Sequence, residues 1–211
     1  MSEAVKRDAK QGGQARTRLA RRAVVAAART LFLERGYAAA TIEAISDLAD
    51  VPPATVYRLF ASKLGILKAL IDTSIGGDDQ PVVVTERPSI ASLFEEPDPL
   101  KLLTGFAGVT TNINRRTNDL YRVLVDAARS DSAAADLLDE MQKQRSRGQS
   151  QIANALDRAN ALREGLPKRD AADLIHALMS PEVYRLLVVD KRWSPQKYEQ
   201  WLAATLVQQL T

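Results

Sequence analysis

Apolar residues return every three or four positions along most of this chain, the period of a helix with one buried face. Over residues 17–35 the repeat is carried by Ala20, Val24, Ala27, Leu31 and Phe32, and Gly36 follows as a stop signal. A shorter run, Ile42, Ile45, Leu48 and Ala49, begins after Thr41, whose hydroxyl suits an N-cap. Asp50 and Val51 interrupt it. Pro52 and Pro53 then open another short helix with Val56, Leu59 and Phe60 on its apolar side. Proline is tolerated in a first turn because its missing N–H would have no partner there anyway. Ser62 is placed to cap a fourth helix over residues 63–75, with Leu67, Leu70 and Ile71 inward.

Past Gly76 and Gly77 the period fails until Pro99. Pro81, Pro88, Pro97 and Pro99 prevent a long helix there, so the stretch reads as a long loop with one helical turn near residues 89–94. It is either a border to a pocket or a plain connector. Val82, Val83 and Val84 have the composition of a strand, yet no second strand is available to pair with them. From residue 99 onward the pattern is helical again. Leu102, Leu103, Phe106 and Ile113 mark a helix over 99–114, and Leu120, Leu124 and Ala127 mark another over 118–129. A long helix capped by Ser132 reaches about residue 160, with Leu137, Leu138, Met141, Ile152 and Leu156 inward. Gly165 and Pro167 separate it from a helix over 169–189, which Pro181 must kink or disrupt. Ser194 and Pro195 start the last helix, striped by Tyr198, Trp201, Leu202, Leu206 and Leu210. The expectation is an all-α chain of about nine helices. A flexible basic arm spans residues 1–16, a three-helix domain and its connecting helix span 17–77, and a helical body spans 78–211.

Composition narrows what such a chain does. It has 211 residues, of which 45% are hydrophobic, and a mean hydropathy of −0.20. No apolar run approaches the roughly 20 residues that cross a bilayer, and the N-terminus lacks the apolar centre of a secretory signal. A cytoplasmic protein with no membrane partner is expected. The absence of cysteine excludes disulfides, thiol catalysis and cysteine metal sites. One histidine, His176, offers little for a metal cluster or general acid–base chemistry. No phosphate-cradling glycine loop or nucleophile–base signature is present, so no enzyme, cofactor, metal or catalytic residue is expected.

Charge divides unevenly. Residues 1–75 hold 12 Lys and Arg against 7 Asp and Glu, a net of +5, whereas the remainder has a net of −2. A solvated basic tail would account for this alone. Beside the motif over 41–63 it reads instead as a footprint for phosphate. Two short helices joined by a tight turn, the second showing small and polar residues outward, describe a helix-turn-helix, whose second helix enters the DNA major groove. On that helix Pro53, Ala54, Thr55 and Arg58 are candidates for reading base edges. Arg58 can bridge guanine O6 and N7, and Ala54 or Thr55 can meet a thymine methyl.

Gly36 and Tyr37, Thr41 and Ile42, Ile45, Ala49, Val51, then Thr55, Val56, Tyr57, Phe60, Ser62 and Lys63 together carry a resemblance. Residues 17–75 resemble the DNA-binding domain of the TetR family of bacterial one-component transcriptional repressors. The resemblance implies that Thr41, Tyr57 and Lys63 clamp phosphates. Two departures stand out: Ser46 replaces a frequent alanine, and Asp50 replaces a frequent glycine. A third is Pro52, standing where a serine often caps the recognition helix. The family also implies a homodimer joined through the last two helices, and the apolar surplus of residues 178–210 agrees with it. Tyr184, Leu186, Leu187, Trp201, Leu202 and Leu206 are the candidates for dimerisation. A small-molecule effector of unknown identity is implied as well, with Phe106, Tyr121, Met141, His176 and Met179 on the helices that would surround it. Arg145 and Arg147 are either surface charges or contacts to an anionic effector. The leading expectation is a repressor that binds a palindromic, double-stranded operator and is released by its effector. An activator or architectural factor without an effector is the alternative.

Overall fold

The computed structural model describes residues 3–77 and 87–211, and the side chains of residues 14–77, 87–88 and 90–211. Among them every regular element is helical, in the order α1 (Glu3–Ala39), α2 (Ile42–Ala49), α3 (Pro53–Phe60), α4 (Lys63–Gly76), α5 (Pro88–Phe94), α6 (Pro99–Ala127), α7 (Ser132–Arg158), α8 (Lys168–Leu178), α9 (Pro181–Tyr184) and α10 (Pro195–Leu210). The valine run at 82–84 lies outside the described residues.

The chain forms two compact units. One comprises residues 1–72 and 122–135, the other residues 73–121 and 136–211. The division therefore falls within α4, earlier than the change of composition after Gly77, and the end of α6 belongs to the first unit. The core of that unit is Val24, Ala28, Leu31 and Phe32 of α1, Ile42 and Ile45 of α2, Val56 and Phe60 of α3, and Ile66, Leu67 and Leu70 of α4. In the second unit the core joins Leu102, Leu103 and Phe106, Ile152 and Leu156, Ile175, and Tyr198, Leu202, Leu206 and Leu210.

Several local expectations change. The backbone of residues 3–16 continues α1 instead of forming a flexible arm. Its alanines and glutamines favour a helix, and two glycines, at about 1 kcal/mol each, do not cancel that preference within a long run. Gly36 does break the run, with φ 76° and ψ 168°. The expected gap over residues 115–117 is absent, and α6 runs unbroken for 29 residues. Those three residues are polar but none is a helix breaker, so nothing ends the helix. Asp131, not Ser132, caps α7, its Oδ1 accepting the N–H groups of Ala133 and Ala134 at 2.9 and 3.2 Å. Pro181 acts as expected. The helix ends at Leu178, Ser180 caps α9 through the Val183 N–H, and a π-helical turn over Arg185–Asp190 follows. Ser194 caps α10 by accepting the Lys197 N–H at 3.1 Å.

Gly65 marks a close approach. It lies in the first turn of α4, and a Cβ there would collide with the backbone carbonyl oxygen of Phe60. Because that oxygen belongs to backbone at the end of α3, it cannot move aside as a flexible side chain could. Gly65→Ala is expected to cost the first unit about 1–3 kcal/mol, the usual range for overpacking. A thermal melt equal to that of the wild type would refute this.

Candidate functional site

The helix-turn-helix is assembled from α2 and α3. Thr41 Oγ1 caps α2 by accepting the Ala44 N–H at 3.1 Å. The helix ends where Asp50 turns left-handed, with φ 51° and ψ 44°, and returns its N–H to the carbonyls of Ser46 and Asp47. Aspartate enters this region at lower cost than most non-glycine residues. Ser46 is buried, and its hydroxyl donates to the Val51 carbonyl. The Val51 N–H donates back to the Ser46 carbonyl at 3.1 Å. The two departures from the family pattern thus both serve the turn: one supplies its left-handed residue and the other an extra closing bond. Pro52 leaves α3 without a side-chain cap, although its carbonyl accepts the Thr55 and Val56 N–H groups at 2.8 and 3.1 Å.

Burial fixes which side of α3 faces out. Val56 and Phe60 are buried, leaving Pro53, Ala54, Tyr57 and Arg58 exposed and Thr55 half-exposed. Tyr57 is 48% exposed, which removes it from the core. Leu48 was expected on the apolar face of α2 but is 54% exposed. Ile42, Ile45 and Ser46 take the inward positions of that two-turn helix, and Leu48 falls outside the arc they define. Arg21 of α1 was not singled out by sequence, since nothing distinguishes it within a basic run. Its Nη1 donates to the Leu59 carbonyl at 3.3 Å, and its guanidinium lies 4.6 Å from the Phe60 ring centroid. It therefore holds the end of α3 by a hydrogen bond and a cation–π contact.

Lys63, a phosphate-clamping residue by resemblance, is also engaged within the protein. Its ammonium donates to the carbonyls of Tyr37 and Ala38 at 2.7 and 3.3 Å and lies 4.3 Å from the Tyr37 ring centroid. Burial lowers its pKa, while the Asp131 carboxylate acts in the opposite direction. Two of the three ammonium donors are committed to the end of α1, where unpaired carbonyls attract a cation. Tyr37 is tied in too. Burial raises the pKa of its hydroxyl, and so do the charge of Asp131 and a hydrogen bond to it.

In the second unit, two of the five effector candidates enter one polar cluster. Tyr121 donates its hydroxyl hydrogen to Glu182 at 2.9 Å and accepts from Gln142 at 3.4 Å. His176 meets Arg145 Nη2 through Nε2 at 3.0 Å and Gln149 Oε1 through Nδ1 at 2.8 Å. A guanidinium only donates, so Nε2 must accept and Nδ1 must carry the hydrogen. The histidine is thereby held neutral. Its pKa is lowered by burial first and by the Arg145 charge second. The other three candidates lie elsewhere: Phe106 is buried against Phe94 with centroids 4.8 Å apart, Met179 is in the core, and Met141 is half-buried. Arg147 is an exposed charge paired with Glu140 at 3.0 Å. A cleft of about 360 Å³, lined by Phe94, Pro97, Leu102, Leu156 and Arg158 among others, contains none of the five.

The dimerisation candidates also divide. Leu186 is 51% exposed and Leu187 and Trp201 are half-buried, whereas Tyr184, Leu202 and Leu206 are buried within the protomer. Among the described residues no group of three or more His, Cys, Asp or Glu is placed to hold a metal, and no helix is long and apolar enough to cross a membrane.

Residues 24–70 match the sequence model of the bacterial regulatory proteins of the tetR family. That matched segment places residues 24–70 with the N-terminal domains of the TetR family. The match covers the turn and the whole of α3, so the exposed face described above is that of a DNA-binding helix-turn-helix regulator. No curated protein matches the regulator in sequence. Solved structures show the same fold. FadR from Bacillus subtilis, in complex with stearoyl-CoA, aligns with a TM-score of 0.68 at 20% identity over 90% of this chain and 98% of its own. NalD, the secondary repressor of the MexAB-OprM multidrug efflux pump in Pseudomonas aeruginosa, gives 0.67 at 20% identity over 91% and 96%. GusR from Salmonella enterica gives 0.66 at 18% identity over 90% and 95%.

The position of Lys63 makes its loss a stability effect. Lys63→Ala is expected to destabilise the first unit by about 1–2 kcal/mol, through two lost charge-assisted bonds at a partly exposed site. Calorimetric unfolding checks this, and an unchanged melting temperature would restore a purely phosphate-directed role.

Proposed function

We propose that the regulator is a homodimeric repressor that binds a palindromic operator and releases it when a small molecule occupies the second unit. The single observation that carries the DNA-reading part is the exposed face of α3, with Arg58 and Tyr57 outward over a buried Val56 and Phe60. Thr41, half-exposed Thr55 and exposed Tyr57 stand ready for phosphate or base contact, while Pro53 and Ala54 offer apolar surface to thymine methyls. A homodimer places two such helices on one duplex, and operator symmetry follows from protein symmetry.

Support for the ligand-responsive part comes from FadR, which was solved with stearoyl-CoA, and from the polar cluster of the second unit. Arg116 offers a mechanical route. Its Nε and Nη2 donate to the carbonyls of Ser74 and Ile75 at 2.8 and 2.9 Å, capping the end of α4 from α6. A ligand that displaces α6 would carry α4 with it. The required difference in ligand affinity between the two DNA-reading states is typically about 1–3 kcal/mol.

For the dimer, Leu186 and Val189, 51% and 46% exposed, form the outward apolar surface together with half-buried Leu187, Val188, Trp201 and Val207. Tyr184, Leu202 and Leu206 support that surface from beneath. Leu186→Asp tests it without disturbing the protomer core, and should convert a sedimenting dimer into a folded monomer. A wild-type chain that sediments as a monomer at micromolar concentration would sink the homodimer.

Selection of bound duplexes from a random pool tests the DNA reading directly. Recovery of an inverted repeat is the expected result, and a pool without enrichment would refute it. Arg58→Ala should relax preference at one base pair per half-site, at a cost of about 1–3 kcal/mol.

A further inference from the structure

We infer that the small molecule sensed by the second unit is an organic oxyanion, a carboxylate or a phosphate monoester, seated against the guanidinium of Arg145. This rests on the ligand-responsive reading given above and adds the chemical class of the ligand. Arg145 sits midway along α7 and is half-buried. Its Nη2 is taken up by His176, but its Nη1 is buried with no hydrogen-bond partner. Among the described residues no carboxylate forms an ion pair with it.

The surroundings explain why this arrangement asks for an anion. A cation removed from water is costly unless it is paired. His176 accepts a hydrogen bond from Arg145 but supplies no negative charge, because an imidazole is neutral or cationic. Glu182 is near enough for its charge to act on Arg145. Its hydrogen bond, however, goes to the Tyr121 hydroxyl. The guanidinium thus keeps an open donor beside a phenol that already holds a carboxylate. A ligand oxyanion would take the Nη1 hydrogen and compete with Glu182 for Tyr121. A guanidinium donor to a carboxylate or phosphate oxygen makes a charge-assisted bond, roughly twice as strong as a neutral one. Met141, one helical turn before Arg145 on the same face, supplies apolar surface for the ligand body.

Isothermal titration of the full chain with benzoate, phenyl phosphate and benzyl alcohol tests the inference. Benzoate or phenyl phosphate should bind, and whichever binds more tightly identifies the source of the oxyanion, whereas benzyl alcohol should not. Arg145→Gln should weaken the anion by about tenfold or more, as one lost charge-assisted bond predicts. Glu182→Gln should tighten it, because the competing carboxylate is gone. A merely structural disturbance would not produce that gain. Equal binding of benzyl alcohol and benzoate, an absence of anion binding, or an Arg145→Gln protein that is folded and binds anions as before would overturn the inference. Operator affinity separates this from the broader reading. Release of DNA by a neutral compound alone would defeat the anion and leave the ligand-responsive repressor standing. Anion binding through Arg145 with operator affinity unchanged would support the site and defeat the response.

Discussion

The burial of Val56 and Phe60 is the constraint on which the DNA-reading surface depends. An eight-residue helix has almost no stability of its own in water, since nucleation costs more than so few hydrogen bonds return. The helix α3 exists because its two large apolar side chains are covered by the first unit. Burying each contributes roughly 1.5–3 kcal/mol. The same burial decides the rotation of the helix and therefore which residues face outward. Arg21 adds a cation over the Phe60 ring and a bond to the Leu59 carbonyl, fixing the far end. The near end is set by the turn, where Asp50 and Ser46 close the backbone on itself.

A second theme is the pairing of helix ends with charged side chains. Lys63 at the start of α4 reaches the last carbonyls of α1, and Arg116 of α6 reaches those of α4. Asp131 caps α7 while its charge and hydrogen bond bear on Tyr37. Each bond puts a charge of the favourable sign at a helix terminus, where the unpaired backbone groups and the macrodipole reinforce one another. The α4 helix is held in this way at both ends. Its first residue bonds to the end of α1, and its last carbonyls accept from α6.

The second unit spends its polar groups differently. Its core is continuous and apolar, with Tyr184 set edge-on to Tyr198 at 4.9 Å. Burial drives the Tyr198 hydroxyl well above the ordinary phenol range, as expected for a group with so little access to water. Against this background the Arg145, His176, Tyr121 and Glu182 cluster stands out, because half-buried charge is costly wherever it is not functional or fully paired. The π-helical turn over Arg185–Asp190 lies next to it in sequence and presents Leu186 and Val189 outward. The polar cluster and the candidate dimer surface thus draw on neighbouring stretches of chain.

What the sequence by itself determined was whatever local chemistry controls. Helical periodicity placed most of the helices, Gly36 and Pro181 broke them where expected, and the motif over 41–63 carried the resemblance and the outward residues of α3. The charge difference between the two parts of the chain was equally legible, being a matter of counting. Tertiary structure decided what depends on partners distant in the chain. Lys63 turned to the carbonyls of α1, Arg21 joined Phe60, and Arg145 became a half-buried cation while Arg147, two residues on, remained on the surface. The apolar stripe of α10 could belong to an interface or to a core. Leu202 and Leu206 proved to be core because the rest of the second unit supplies enough apolar surface to cover them. Periodicity reports that one face of a helix avoids water, and only the packing of the other helices determines what covers it.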